Sequence, residues 1–318
     1  MRYNGLRGAV FSVPMFFKHD NSVDFEALKN YLIACLKSEG VEAIFSMAYN
    51  TRYRQLSDEE LFEVNRLCCQ LANKHDKKAI IGHAYTITNS ELNDYCNAIK
   101  KYNPYAISLL YPERYYGIDS ALIDFFAIPK KSGIPVLIHE QKLVSGFNGS
   151  LIDWPKELLT AVFQDSNVIA VKEDSKNDKI TEDVMNMSRK SNFDVIVAGG
   201  GKKRVRKLIK EIDLKCWLNG SLMLFPEISK LVCDAYLNQN EGFTSMYEEK
   251  IETPYFDEVI SKLGWHVGHK AALHVLGYCE LEERNPMPTI SKDKLDIYKS
   301  IIMELKDNVN EIVSRGNL

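Results

Sequence analysis

Short apolar runs alternate with longer amphipathic stretches along most of the chain. Eight such runs occur: Gly8–Val13, Val41–Met47, Ala79–His83, Ala106–Tyr111, Ile134–His139, Val168–Lys172, Val195–Ala198 and Cys216–Asn219. Nearly continuous apolar runs of this length are typical of parallel strands that are covered on both faces. Eight strand–helix repeats predict an α/β protein, a (β/α)8 TIM barrel with additional C-terminal helices. A doubly wound open sheet with a helical appendage is the alternative.

Helix signals separate these runs and then take over the chain. Ser57-Asp-Glu-Glu60 is a capping box, and Asp24 opens a helix whose apolar face runs from Leu28 to Leu36. After Pro226 the pattern predicts helices alone, over residues 227–237, 246–263, 268–276 and 293–305. We therefore divide the chain into a barrel over residues 1–238 and a C-terminal helical extension over residues 239–318 that packs on the barrel.

Composition places the chain among soluble enzymes and binding proteins of ordinary charge. The 318 residues are 45% hydrophobic and 26% charged, and the net charge of −3 provides no electrostatic basis for binding nucleic acid or an anionic membrane. No apolar run is long enough to span a bilayer. The seven cysteines form no C-x-x-C pair, so we expect reduced thiols and a cytoplasmic location.

Lys172 stands at the carboxyl end of the sixth run. A lysine that is taken out of water there can attack a carbonyl carbon as a neutral Schiff-base nucleophile. A lysine that follows an apolar run is, on its own, more often a solvated strand end. The barrel changes this interpretation, because active sites of such barrels lie at the carboxyl ends of the strands. His139, Tyr111 and the loops over residues 49–52 and 199–201 belong to the same end.

A proton carrier beside Lys172 is the second requirement of this chemistry. An unperturbed histidine titrates near neutral pH, so His139 is chemically able to act, and Tyr49 or Tyr111 could take its place. A strand-end histidine that bonds to a neighbouring loop is the alternative for His139. His266 and His269 lie three residues apart, but no acidic or cysteine partner at metal spacing accompanies them, so we expect a packed helix and no metal.

Two loops carry candidate anion-binding groups. Arg52 with Asn50 could clamp a substrate carboxylate through paired hydrogen bonds, or Arg52 could instead pair with surface carboxylates of the following helix. Gly199-Gly-Gly-Lys-Lys-Arg204 follows the seventh run and leads into a helix, where exposed N–H groups favour an anion. A tight turn followed by a solvated basic helix is the alternative for this second loop.

Six segments have the order and spacing of one known family. They are Gly8–Pro14, Val23–Leu28, Gly40–Ile44, Leu56–Glu60, Ile134–Ile138 and Val168–Asp174. Together they resemble the dihydrodipicolinate synthase / N-acetylneuraminate lyase family of class I aldolases, over about residues 5–230. The resemblance implies a barrel with C-terminal helices, an assembly that is usually a tetramer, and Lys172 as the Schiff-base lysine. We expect a homo-oligomer (dimer or tetramer), and no residue pattern demands a cofactor.

The chain departs from the family pattern around this lysine. The family usually has Gly-Thr-Thr-Gly-Glu after the second strand, where this chain has Ala48-Tyr49-Asn50-Thr51-Arg52, and the family's proton-shuttling tyrosine falls on His139. The family's Pro-Tyr-Tyr is only partly matched from Tyr111 onward. The resemblance and the strand ends together nominate a set of site residues: Lys172, His139 and Tyr111 as catalytic, and Ala48, Tyr49, Asn50, Arg52, Gly199, Gly200 and Asn219 as substrate-binding.

The predicted function is a Schiff-base lyase or aldolase that acts through Lys172 on a small 2-oxo acid, either a pyruvate-type or a sugar-acid substrate. A dehydratase or hydratase that uses the same iminium on a sugar acid is the close alternative. A barrel that binds a small ligand without turnover is the alternative from another class. The altered carboxylate loop and proton carrier leave the choice of substrate open.

Overall fold

Eight parallel strands close into a barrel in sequential order. The computed structural model describes residues 5–47, 55–83, 87–110, 119–140, 150–199, 201 and 203–316. The strands are β1 Gly8–Ser12, β2 Val41–Phe45, β3 Lys78–Gly82, β4 Ala106–Leu110, β5 Val136–His139, β6 Val168–Glu173, β7 Asp194–Val197 and β8 Cys216–Leu218. β1 pairs with β8, which closes the sheet. The predicted (β/α)8 architecture is confirmed, and the open-sheet alternative is wrong.

A helix follows each strand on the outside of the barrel. These helices are α1 Phe25–Leu36, α2 Asp58–Lys74, α3 Asn89–Ile99, α4 Asp119–Lys131, α5 Lys156–Asp165, α6 Asp178–Ser191, α7 Arg204–Ile212 and α8 Ser229–Leu237. Both predicted helix starts have the expected caps. The Asp24 carboxylate accepts the Ala27 N–H at 3.0 Å, and Ser57 and Glu60 form the reciprocal capping box.

The chain after α8 is helical, as its pattern predicts, but the helices have other bounds. They are α9 Glu241–Tyr247, π-helical turns at Glu248–Glu252 and Tyr255–Ile260, α10 Ser261–Leu263, α11 Trp265–Val275 and α12 Lys292–Gly316. The first helix therefore begins five residues before the predicted 246, and the last continues well past the predicted 305. Among the described residues, no helix combines the length and apolar character needed to cross a membrane.

The barrel interior is filled by alternate residues of the strands. This inner cluster comprises Leu6, Val10, Ala43, Phe45, Ile80, Ala106, Leu137, Ala170, Ile196 and Cys216. Because side chains alternate along a strand, the residue two positions after an inner residue also faces inward, closer to the carboxyl end. Ser12, His139, Lys172 and Leu218 occupy such positions. The packing of the barrel thus directs these four side chains to one end of its interior.

Arg284 ties the C-terminal region to the loops at the same end of the barrel. Its guanidinium bonds both carboxylate oxygens of Glu60, at 2.6 and 2.7 Å, and also donates to the carbonyl oxygens of Gln55 and Asn21. The side-chain amide of Gln55 returns a hydrogen bond to the Arg284 carbonyl oxygen at 2.7 Å. A planar guanidinium that satisfies three partners at once holds the segment before α12 against the first turn of α2 and the loops that precede α1 and α2.

Candidate active site

A cavity of about 310 Å³ opens at the carboxyl ends of the strands. Ser12 and Lys172 line it from the barrel interior, and Asn219 lines it from the loop after β8. One further wall consists of Glu252, Phe256 and Trp265, which belong to the C-terminal helices. The cavity therefore lies between the barrel and the helices that follow it.

Lys172 places its amine between a histidine and a carboxylate. Its side chain is 3% exposed, and Nζ lies 2.7 Å from His139 Nε2 and 2.8 Å from Asp174 Oδ2. His139 and Lys172 are register partners on the adjacent strands β5 and β6. Both point inward, two residues after the apolar pair Leu137 and Ala170 on the same strands. The approach of the two side chains therefore follows from the strand register. Lys172 is thus a buried amine and not the solvated strand end that its local sequence also allowed.

His139 is held in its neutral form. Burial lowers the pKa of this imidazole well below 6.5, and the positive charge of Lys172 lowers it further, although Asp174 opposes both effects. A neutral ring at 2.7 Å from an ammonium accepts the hydrogen bond through Nε2, so Nδ1 carries the hydrogen. Nδ1 has no hydrogen-bond partner within the described part of the chain. The neutral Nε2 is therefore a base that already contacts the amine.

Asp174 supplies the negative charge that faces Lys172. Burial alone would raise the pKa of this carboxyl, but the attraction of Lys172 and its hydrogen bond outweigh burial and lower the pKa below 3.8. The side chain is 16% exposed, and its other oxygen lies 3.6 Å from Nζ of the exposed Lys176. Asp174 therefore stays ionised at neutral pH and stabilises a positive charge on the nitrogen of Lys172.

Two further buried acids, Glu173 and Glu140, directly follow Lys172 and His139 in the sequence. Glu173 points away from the barrel interior, where Thr181 Oγ1 donates to it at 2.7 Å and Arg204 lies 3.8 Å away. Glu140 follows β5 and accepts the N–H of Leu151. Burial raises the pKa of Glu140 to about 8. Glu173 is thus a structural anchor for α6, whereas Glu140 is a neutral acid at physiological pH.

The structure brings together only some of the nominated residues. Lys172, Gly199 and Asn219 line the cavity, and His139 reaches it through its contact with Lys172. Asn219 also uses its carboxamide oxygen to accept the Leu222 N–H at 2.9 Å, which shapes the loop after β8. The other nominated residues, Ala48, Tyr49, Asn50, Arg52, Tyr111 and Gly200, lie outside the described residues, and their roles stay predictions.

The loop after β7 owes its glycines at least partly to packing. Gly199 has a φ of +68°, a conformation that side chains disfavour, and Gly201 lies directly beneath the ring of Phe256. Arg204, at the start of α7, bonds Asp178 at 2.9 Å, the Ala198 carbonyl oxygen at 3.0 Å and Thr181 at 2.8 Å. Its charge is thus directed towards α6 and not into the cavity. Anion binding by this loop stays an untested prediction.

Comparison with known proteins identifies the fold. No protein-family model and no curated protein sequence matches the chain. Solved structures do match. A 4-hydroxy-tetrahydrodipicolinate synthase from Methylacidiphilum fumariolicum SolV has a TM-score of 0.77 and 17% identity, over 97% of this chain and 99% of that chain. An N-acetylneuraminate lyase from Fusobacterium nucleatum has a TM-score of 0.78 and 15% identity, over 94% and 99%. The chain has the fold of these enzymes.

The matches to these structures confirm the fold that the resemblance in the sequence implied, a barrel with C-terminal helices. A synthase from Thermotoga maritima, at a TM-score of 0.78 and 15% identity, covers 95% of this chain and 99% of its own. The C-terminal helices are therefore part of a shared architecture, and the superposition extends across both the barrel and these helices. At this level of identity the similarity concerns the fold, so the chemistry depends on the residues of this chain.

Sequence reasoning missed several residues that surround Lys172 within this fold. The position of Asp174 beside Lys172 could have been predicted, because it lies two positions after Lys172 and side chains at that spacing share a face of an extended strand. Glu252, Phe256 and Trp265 had no comparable signal, since their pattern is that of ordinary amphipathic helices. His269 is buried and its Nδ1 lies 2.7 Å from the Tyr255 hydroxyl, which confirms a packed helix at this position. No metal-binding group of His, Cys, Asp or Glu occurs among the described residues.

Proposed function

We propose that this protein is a class I lyase or aldolase that forms an iminium between Lys172 and the carbonyl carbon of a 2-oxo acid. The observation that carries the proposal is the buried Lys172 amine, which faces the cavity with a neutral imidazole at 2.7 Å and a carboxylate at 2.8 Å. A solvated strand-end lysine would need neither partner. The fold shared with synthases and lyases that the comparisons name supports the same conclusion.

Iminium formation follows from the hydrogen bonds of Lys172. The ammonium transfers one proton to His139 Nε2, which leaves a nitrogen lone pair free to attack the carbonyl carbon. The resulting carbinolamine takes the proton back from His139 on its oxygen and loses water. A protonated iminium remains, and Asp174 lies close enough to offset its positive charge.

The iminium then acts as an electron sink for the bond that breaks. Neutral His139 can remove the proton of a hydroxyl on C4, so that the C3–C4 bond cleaves and an enamine forms on Lys172. The reverse sequence joins an aldehyde to the enamine of the same 2-oxo acid. Removal of a proton from C3 of the same iminium, followed by loss of the C4 hydroxyl group as water, would be the dehydratase reaction. Because His139 stands where the resemblance predicts a tyrosine, this site performs its proton transfers with an imidazole.

Reductive trapping tests the proposal directly. The protein is incubated with pyruvate and with longer 2-oxo acids in the presence of borohydride, and the modified peptide is identified by mass spectrometry. We expect one reduced adduct, on Lys172, which the Lys172→Met variant loses. A Lys176→Met variant is the matched control, because Lys176 lines the same cavity but is 67% exposed, and it should keep the adduct.

The result that contradicts iminium chemistry is a folded protein in which no 2-oxo acid of the series modifies Lys172. That result would favour a barrel that binds a small ligand without turnover. If adducts form, analysis of the products separates the reactions, since cleavage releases an aldehyde and dehydration does not. The resemblance also implies a dimer or tetramer, which sedimentation of the purified protein measures.

A further inference from the structure

The cavity extends from Lys172 on the side of Asp174. The described residues that line it from the barrel belong to β1, β6 and β8 and to the loops after β6, β7 and β8. Asp174 is one of them, whereas His139, on β5, is not among the described lining residues and is 1% exposed. Both groups bond the Lys172 nitrogen, but of the two only Asp174 also faces the space that a bound molecule fills.

Formation of an iminium changes how many partners this nitrogen can keep. The ammonium group of Lys172 carries three hydrogens and lies within hydrogen-bond distance of both His139 and Asp174. An iminium nitrogen carries one hydrogen, so it donates a well-aligned hydrogen bond to one acceptor. Attachment of the substrate therefore releases one of the two groups from the nitrogen.

The carboxylate of Asp174 lies where the third carbon of the substrate must pass. Its Oδ2 is 2.8 Å from Lys172 Nζ. In the iminium, C3 is about 2.5 Å from the same nitrogen, because a single carbon atom separates the two. When the carbon chain extends into the cavity, C3 comes to about 3–3.5 Å from the carboxylate, which is the separation of reacting atoms in a near-attack geometry.

The turn that carries Asp174 is held by the residues around it. The carboxylate of Glu173 accepts the Ser175 N–H at 2.7 Å and the hydroxyl hydrogen of the same serine. Ser175 Oγ in turn accepts the Asn177 N–H at 3.2 Å, and the Asn177 side chain caps α6. Asp174 thus stands on a short, hydrogen-bonded turn between a strand end and a capped helix, which fixes its position as acid–base catalysis requires.

We propose that Asp174 is the general base at C3, which removes the C3 proton of the iminium to give the enamine and returns a proton in the reverse step. The inference rests on the proposed function, because C3 belongs to the molecule that is joined to Lys172. Asp174 is thereby a catalytic residue, in addition to being the counter-charge of the lysine.

The proton and the electrons balance within the site. The electrons of the broken C3–H bond form a C2–C3 double bond, and those of the C2–N double bond move onto the nitrogen, which becomes neutral. With pyruvate alone, the acid exchanges its proton with water and returns one to C3. With a 4-hydroxy-2-oxo acid, the enamine expels the C4 hydroxyl group, which takes the proton from Asp174 and leaves as water. Asp174 ends both reactions as a carboxylate.

Burial favours this transfer once the nitrogen loses its charge. Burial raises the pKa of Asp174, but the charge and the hydrogen bond of Lys172 lower it by more, so the carboxyl group is ionised while the nitrogen is positive. Removal of the C3 proton cancels the positive charge, and burial then favours the protonated acid. An ion pair in a poorly solvated site becomes two neutral groups, which offsets part of the cost of breaking the C3–H bond.

Deuterium exchange separates this role from iminium formation. The protein is incubated with pyruvate in D2O, and the loss of methyl protons is followed by proton NMR, while the rate of borohydride-trapped adduct on Lys172 is measured in parallel. In the wild type we expect exchange at least about a hundredfold faster than in buffer alone. In Asp174→Asn the ratio of the exchange rate to the trapping rate should fall by about a hundredfold, because the adduct forms without its base.

Three comparisons make the readout specific. Asp174→Glu keeps the charge but shifts the oxygens by about 1.5 Å, one carbon–carbon bond, so it should keep the adduct and lower the ratio by about tenfold or more. His139→Gln should slow trapping and exchange together and leave their ratio within about threefold, because His139 acts before C3 reacts. Asp183→Asn is the matched control, a partly exposed aspartate of α6 that pairs with Lys179 at 3.2 Å, and should keep both rates.

A wild-type protein that forms the Lys172 adduct but exchanges no methyl protons would overturn this inference and leave the proposed function intact. A wild-type ratio in folded Asp174→Asn or Asp174→Glu would overturn the assignment to Asp174 in the same way. Absence of any adduct would refute the proposed function and this inference with it. Because Asp174→Glu retains the charge beside Lys172, it tests the assignment even if Asp174→Asn fails to fold.

Discussion

The contact between Gly220 and Trp265 leads to a sharp prediction for Gly220→Ala. Gly220 does not have a positive φ, so the backbone at this position accepts an L side chain without conformational strain. Any effect of the added methyl group must therefore come from space. The new Cβ would stand 2.3 Å from Trp265 Cη2 and 2.8 Å from Cζ3.

The magnitude follows from the distance that the ring must move. Carbon atoms in favourable contact are about 3.5 Å apart, so the indole has to retreat by about 1.2 Å. The indole cannot retreat freely, because its ring also stacks on His269 at 5.0 Å between ring centres. Overpacking of this kind typically costs about 1–3 kcal/mol, and we expect the free energy of unfolding to fall by about 2 kcal/mol.

Denaturation in urea, followed by circular dichroism, measures this loss. Gly242→Ala is the control, because its Cβ would meet only Asn240 Oδ1, at 3.7 Å. That substitution, at the start of α9, should leave stability unchanged or raise it by up to about 1 kcal/mol. A Gly220→Ala protein as stable as the wild type to within about 0.5 kcal/mol would refute the close packing of Trp265.

Three further substitutions test the group around Lys172. His139→Gln should slow adduct formation by about a hundredfold or more, because the base that accepts the amine proton is lost; an unchanged trapping rate would contradict that role. Asp174→Asn should lower the free energy of unfolding by about 3 kcal/mol at pH 7, by leaving a buried charge without its partner. Because the pKa of Asp174 is lowered below 3.8, its contribution is present above that value and is lost only below it, so urea denaturation should find the same difference at pH 5. Glu140→Gln should become more stable relative to the wild type by about 2–3 kcal/mol between pH 5 and pH 7, as the raised pKa of about 8 makes the buried acid increasingly costly; a constant difference would contradict that raised value.

The candidate site divides into a part that strand patterns predict and a part that they do not. Lys172 and His139 end apolar runs, and a barrel of parallel strands must gather such ends at one rim. Asp174 belongs to the same predictable part through its spacing from Lys172. The distance of 2.7 Å between the amine and the imidazole was not predictable, because it depends on the register of β5 against β6.

The helices after the barrel show more clearly which features could not be predicted from the sequence. Their apolar periodicity predicts amphipathic helices. The structure has helices in this region, but they begin and end at residues other than those predicted. Nothing local indicates that the turns around Pro254 wind as a π-helix or that Glu252 faces Lys172 across a cavity. Gly201 was interpreted as part of a tight turn and Gly220 carried no signal, whereas the rings that lie against both come from more than forty residues further along the chain.

The amino-acid sequence by itself determined the eightfold alternation of strand and helix, the place of Lys172 and His139 at the carboxyl ends of their strands, and the capped starts of α1 and α2. These depend on periodicities of two and 3.6 residues, which operate over short stretches of chain. Only the tertiary structure decided which groups meet the amine and what closes the cavity above it. Those contacts join segments that are distant in sequence, and their geometry is set by the closure of the sheet and by the docking of the C-terminal helices.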